Sequence, residues 1–131
     1  MGVVDYMRTD QLIQQSFSDF LRDGFRLEKE KVAQYAAYRI CKECLRIEVS
    51  IDFREDTVDF KIKCGTTVGL LIQTEEVMIN APVQGLDCLM TVLRNEYAQI
   101  GNRGLTSAQL QRMMNAFADF LHVNWAVINN L

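Results

Sequence analysis

Residues 45–64, LRIEVSIDFREDTVDFKIKC, alternate apolar and polar side chains through two consecutive runs. Leu45, Ile47, Val49, Ile51 and Phe53 fall on one side, with Arg46, Glu48, Ser50 and Asp52 on the other. After Arg54-Glu55-Asp56-Thr57 the pattern resumes, with Val58, Phe60, Ile62 and Cys64 set against Asp59, Lys61 and Lys63. Successive side chains of a strand point to opposite faces, so this stretch demands an antiparallel hairpin with one buried and one wet face. Charge narrows the register. Placing Phe53 opposite Val58 also sets Asp52 against Asp59, whereas a two-residue shift pairs Arg54 with Asp59 and Asp52 with Lys61 and leaves Asp56-Thr57 as the turn. Opposite charges across strands contribute roughly 0.2–1 kcal/mol, so the charges favour the second register.

Helical periodicity flanks the hairpin. Leu12, Ile13, Phe17, Phe20 and Leu21 make an apolar stripe over residues 9–22, closed by Asp23-Gly24 with Gly24 as a left-handed cap. A second helix is expected over residues 28–44: Glu28 and Glu30 suit the positive end of a helix dipole, and Val32, Tyr35, Ala36, Ile40 and Cys44 form its inner face. The short linker makes these two an antiparallel helical hairpin. Beyond the central strands, residues 66–74 read as a third strand. Val68, Leu70 and Ile72 lie on one face and Gly69 and Leu71 on the other, an arrangement that suits a strand covered on both sides or by a partner. Val77 to Asn80 reads as a short fourth strand stopped by Pro82, and Glu75-Glu76 as a solvated turn before it.

Leu86, Leu89, Met90, Leu93, Tyr97 and Ile100 define a third helix, followed by the linker Gly101-Asn102-Arg103-Gly104. Thr106-Ser107-Ala108-Gln109 is a capping box, and Leu105 and Leu110 stand where a hydrophobic staple places them. The stripe that follows, Leu110, Met113, Met114, Phe117, Phe120, Leu121, Trp125 and Ile128, predicts a helix of roughly 22 residues, about 33 Å long. That is more apolar helix than a small sheet covers, so part of it is expected to face the third helix and part a second chain.

Bulk properties bound the possibilities. A chain of 131 residues with 49% hydrophobic and 24% charged residues is sized for one globular domain, residues 1–131. A net charge of −3 with scattered basic residues argues against a general nucleic-acid binder, whose affinity comes from clustered Lys and Arg on phosphates. No apolar run approaches the roughly 20 residues that cross a bilayer, and the first residues lack the pattern of a secretory signal. Four cysteines in such a chain suit a reducing compartment, so a cytoplasmic location is expected.

Chemistry is thin. Cys41-Lys42-Glu43-Cys44 is a CxxC at the C-terminal end of the expected second helix, where the dipole disfavours a thiolate. Zinc held by Cys41, Cys44, Cys64 and Cys88 is the better chemical reading, yet the intervals are 2, 19 and 23 residues and no second CxxC exists. Buried cysteines acting as small hydrophobes explain the pattern more simply. His122, the lone histidine, lies at the edge of the last helix's stripe with no serine or cysteine placed beside it. Asp52, Glu55, Asp56 and Asp59 gather at a hairpin tip without the spacing or glycine of a calcium loop.

The expectation is therefore an α+β fold: an N-terminal helical hairpin, a three- to four-stranded antiparallel meander, and two C-terminal helices packed on one sheet face. The expected function is that of a small acidic, non-catalytic interaction protein without a cofactor. It would serve as an adaptor, a chaperone or an inhibitor of a host complex, of the kind phages and mobile elements encode. A protein partner, a homodimer and no membrane go with this reading, with Leu71, Met113, Met114, Phe117, Phe120 and Trp125 as interface candidates. The alternatives are a zinc- or thiol-dependent regulatory domain built on the four cysteines and a small enzyme using carboxylates and His122.

Overall fold

The computed structural model describes residues 6–72, 77–79, 83–101 and 104–129. The chain forms two compact units. A helical unit takes residues 1–18 and 83–124, and a sheet unit takes residues 19–82 and 125–131. Glu75-Glu76, Asn80, Pro82 and Asn102-Arg103 lie outside the described residues.

The sheet unit begins in the short helix α2 (Ser18–Arg22), which follows α1 (Tyr6–Ser16) after a break at Phe17. Gly24, at φ 93°, turns the chain out of α2, and the Phe25 amide donates to the Phe20 carbonyl at 3.2 Å. This is the Schellman closure that a left-handed C′ glycine permits. Among the described residues six strands follow: β1 (Arg26–Val32), β2 (Tyr35–Lys42), β3 (Leu45–Asp52), β4 (Thr57–Cys64), β5 (Thr67–Ile72) and β6 (Val77–Ile79). They form one antiparallel meander in sequence order.

The second helix expected over residues 28–44 is absent; β1 and β2 stand in its place. Two features hid them. β1 is an edge strand whose RLEKEKV is exposed at six of seven positions, so burial imposes no alternation, and its Glu-Lys run reads as helix by propensity alone. Its charges suit an edge that must not pair with another chain. In β2, Ala36, Tyr38 and Ile40 face inward at period two, but Ala37 and Cys41 on the opposite face are also apolar and mask the rhythm. Val32 and Tyr35, expected on an inner helical face, are exposed.

The hairpin at 45–64 forms with the expected faces but a third register. Asp52 pairs with Thr57, Ser50 with Asp59 and Glu48 with Lys61, leaving a four-residue loop of Phe53 to Asp56. Asp52 Oδ1 accepts the amides of Arg54 (2.9 Å) and Glu55 (3.1 Å), and Asp56 takes a left-handed φ of 56°. A side chain that satisfies the turn's own amides outweighs the tenths of a kcal/mol in cross-strand charge used to choose a register from sequence. Phe53 thus leaves the strand, and its amide donates to Gln34 O at 2.8 Å. In β5 a register shift between Ile62 and Lys63 leaves Gly69 unpaired. This bulge turns Val68 to the side of Lys63, while Leu70 and Ile72 stay inward and buried.

The inner face is a set of cross-strand rows. Tyr38, Val49, Phe60 and Ile72 are in register, as are Ile40, Ile47, Ile62 and Leu70. All eight are at most 2% exposed, and full burial of such a side chain stabilises by about 1.5–3 kcal/mol. Three two-residue turns join the strands, and the first residue of each has positive φ: Ala33 (52°), Glu43 (55°) and Gly65 (58°). Positive φ there matches the right-handed twist of the flanking strands. An aromatic cluster ends the unit. The Trp125 ring of α5 (Trp125–Ile128) lies 5.2 Å from Phe20 and 5.8 Å from Phe25, and Phe20 meets Phe25 edge-on at 5.7 Å.

In the helical unit, α4 (Ser107–Val123) packs against both α1 and α3 (Leu86–Ala98). Leu12, Ile13 and Phe17 meet a stripe of Leu110, Met113, Met114, Phe117 and Leu121, all fully buried. Phe17 and Phe117 touch edge-on at 6.2 Å. The Thr106 capping box forms as expected: Thr106 Oγ1 accepts the Gln109 amide at 3.2 Å, and Gln109 Oε1 accepts the Thr106 amide at 2.9 Å. Leu105 and Leu110 are both fully buried. Arg112 on α4 grips Glu96 on α3 through two bonds of 2.8 and 2.7 Å. These bonds hold the Arg112 guanidinium above its ordinary value.

The last helix is shorter than its stripe implies, because Asn124 stops it. Asn124 is 3% exposed. Its Nδ2 donates to Phe120 O (2.9 Å) and Gln84 O (2.7 Å), while Oδ1 accepts the Gln84 amide (2.6 Å). One amide side chain thereby pairs with both backbone groups of Gln84 and adds a second bond to the Phe120 carbonyl, which also accepts the Asn124 backbone amide at 3.1 Å. Asn124→Ala should cost about 1–3 kcal/mol in a denaturant titration, since it strips the side-chain partner from both backbone groups of Gln84 at once. Glu43→Gly should move the midpoint the other way, by roughly 0.5–1 kcal/mol, because glycine adopts positive φ without steric cost.

Candidate functional site

Three places carry more than packing. The first is a groove of about 320 Å³ between α3 and α4. Leu89, Val92, Ala116, Phe120 and Val123 make its apolar wall, with Gln84, Cys88 and Asp119 beside them. Val123, at 65% exposure, stands open, whereas Leu89 and Phe120 are the outward edge of the unit's core. The helical spacing of Ala116, Phe120 and Val123 on α4 puts all three on one side of the helix, and Cys88, Leu89 and Val92 do the same on α3.

The second is the outer face of the sheet, where charge is graded from one end to the other. Arg26, Cys41, Arg46 and Lys63 are in register across β1 to β4. The next row alternates Glu28, Arg39, Glu48 and Lys61, and the third holds Glu30, Ala37, Ser50 and Asp59. Arg39 ties three strands together, donating from Nε to Glu48 (3.0 Å) and from Nη2 to Glu30 (3.1 Å). Burial lowers its guanidinium's pKa, but the hydrogen bonds and charges of Glu30 and Glu48 outweigh this and leave it raised. Cys41 is buried within the basic row; burial and the charge of Glu28 push its thiol up against the pull of Arg46, Arg26 and Arg39. Asp59 is also held above its ordinary carboxylate value, first by burial and then by Asp52.

The third is a pair of thiols. The sulfurs of Cys44 and Cys64 lie 2.7 Å apart. A hollow of about 260 Å³ beside them is lined by Phe25, Lys42, Glu43 and Leu45. Lys42 crosses it, its ammonium donating to Asp23 O at 3.1 Å and standing 5.5 Å from the Phe25 ring centre.

The residues singled out from sequence fall differently among these places. Met113, Met114 and Phe117 are fully buried within one chain, and Phe120 is 4% exposed, so the Met-aromatic stripe is core rather than a presented surface. The helix that carries it packs against α1 and α3, which sequence periodicity does not distinguish from an open face. Trp125 is engaged by Phe20 and Phe25. Leu71 is half-buried on the outer sheet face, opposite Lys61. Among the cysteines, Cys44 and Cys64 meet, Cys41 lies on the other face of the sheet, and Cys88 is exposed on α3 rather than buried as a small hydrophobe. Among the described residues no three His, Cys, Asp or Glu side chains gather as a metal ion requires. His122 is exposed near the end of α4. Sequence reasoning missed Asn124 and the Glu96–Arg112 clamp; an asparagine inside an apolar helical stripe was the available signal for the first.

Comparison with protein-family models, with curated proteins and with solved structures finds no match. Among the described residues no helix is long and apolar enough to cross a membrane.

The raised Asp59 carboxyl has a consequence for stability. Its folded-state pKa exceeds the unfolded value, so folding favours the protonated form; that contribution is fully present below the unfolded pKa and is lost as pH rises through the folded one. Asp59→Asn should therefore raise the urea midpoint at neutral pH, and the gain should shrink as pH falls through the raised folded-state pKa and be gone below the unfolded value of about 4.

Proposed function

We propose that this chain is a small, acidic, non-catalytic interaction protein that holds an apolar helical segment of a protein partner. The observation that carries the reading is the open groove between α3 and α4, with a large apolar side chain, Val123, left in water at its edge. Two parallel ridges of side chains spaced for a third helix are the usual receptor for an amphipathic helix, whose anchors recur at i, i+3 or i+4, and i+7. Asp119 at the rim favours a basic residue beside those anchors. The same design serves an adaptor, a chaperone or an inhibitor of a host complex. The charge-graded outer face of the sheet, with Leu71 half-buried among ionic side chains, is the second surface through which a homodimer would form.

Affinity capture from the native host, run in parallel with the unaltered chain and with Val123→Asp, tests the groove. Val123 is exposed, so the variant should fold with an unchanged denaturant midpoint yet retain its partner at least about ten-fold less well, the loss of roughly 1.4 kcal/mol expected for a hot-spot side chain. Equal capture by both proteins would remove the groove from consideration. Light scattering of the unaltered chain and of Leu71→Asp tests the dimer separately: a dimer that the substitution dissociates is expected, and a monomer in both defeats it.

A further inference from the structure

We propose that Cys44 and Cys64 form a reversible dithiol–disulfide site, with exposed Cys44 as the sulfur that meets the oxidant. Two tight turns build it. The Glu43-Cys44 turn joins β2 to β3, and the Gly65-Thr66 turn joins β4 to β5 at the same end of the sheet. Leu45 pairs with Cys64, and the Gly65 amide donates to Cys44 O at 3.0 Å, which carries the ladder one residue past the strand end. Cys44 is thereby held diagonal to Cys64, and their sulfurs are in hydrogen-bond contact at 2.7 Å. Backbone pairing beside the contact holds the two cysteines next to each other before any bond forms.

The two thiols are not equivalent. Cys44 is exposed, while Cys64 is half-buried and its thiol is held above its ordinary value, chiefly by the hydrogen bond with Cys44. Of the two sulfurs, the one in the open is the better placed to attack. The adjoining hollow leaves room at that sulfur for a small molecule.

The oxidant class is a low-molecular-weight disulfide, RS–SR. The Cys44 thiolate attacks one sulfur, forming Cys44–S–S–R and expelling RS⁻. The Cys64 thiolate then attacks Cys44 Sγ, forming the Cys44–Cys64 bond and expelling the second RS⁻. Each cysteine loses one proton and one electron, and RS–SR is reduced to two RSH. The product would staple the β2–β3 turn to the end of β4, and a dithiol reductant would reverse it.

The test is to incubate the full chain with oxidised glutathione, quench with acid, and read intact mass and non-reduced tryptic peptides. The expected result is a loss of two hydrogens per chain and a Cys44 peptide joined to the Cys64 peptide, both reversed by dithiothreitol. The same link should form in the Cys41→Ser/Cys88→Ser variant. Cys64→Ser should stop at a glutathione adduct on Cys44. The proposal is overturned if Cys44 and Cys64 remain free, if the unaltered chain halts at an adduct without closing, or if the link uses another cysteine or a second chain.

Discussion

The structure of the sheet unit hangs on its inward rows, Tyr38–Val49–Phe60–Ile72 and Ile40–Ile47–Ile62–Leu70. Side chains of neighbouring strands directly opposite one another are close enough to pack as a unit, and a one-residue slip would turn every one of them into water. The rows therefore specify the register of β2 through β5 together. Everything on the outer face inherits that register: the basic row at one end, the alternating row centred on Arg39, and the row of Glu30, Ser50 and Asp59 are in line only because the apolar rows beneath are. The two thiols likewise meet because Leu45 and Cys64 are partners at the end of the same ladder.

The turns accommodate the rows rather than set them. Ala33 and Glu43 hold left-handed conformations that cost a residue with a Cβ about 1–2 kcal/mol, and only Gly65 avoids that cost at the first position of a two-residue turn. The third register of the β3–β4 hairpin follows the same logic. Asp52 caps a four-residue loop, and the inward rows keep their faces in any of the three registers, because registers two residues apart preserve the alternation.

The helical unit is closed by polar groups. Glu96 is nearly buried and is satisfied by a two-point grip from Arg112, whose own side chain is half exposed. Asn124 ends α4 by bonding its side-chain amide to both backbone groups of Gln84 and to the Phe120 carbonyl. With these contacts in place the Met-aromatic stripe is wholly internal, and the apolar surface that remains open is the smaller groove around Val92 and Val123. That shift, from the long stripe to a short groove on its neighbouring side, is what turns a general expectation of an interaction surface into a specific one.

Local patterns in the sequence were sufficient where one residue's neighbours along the chain decide the outcome. The alternation over 45–64, the Gly24 cap, the third helix and the Thr106 capping box are all such cases, and all are present. The chain alone left undecided whatever depends on pairing with distant residues. Residues 26–42 become strands because β3 offers β2 a partner and β2 in turn offers one to β1, although the charged edge of β1 carries no alternation to announce it. The last helix ends at Asn124 because Gln84, far off in sequence, provides the groups its amide needs. Cys44 and Cys64, set apart by the whole of a hairpin, come together because that hairpin folds back on itself: periodicity assigns a residue to a face, and only the register of the finished sheet assigns it a neighbour.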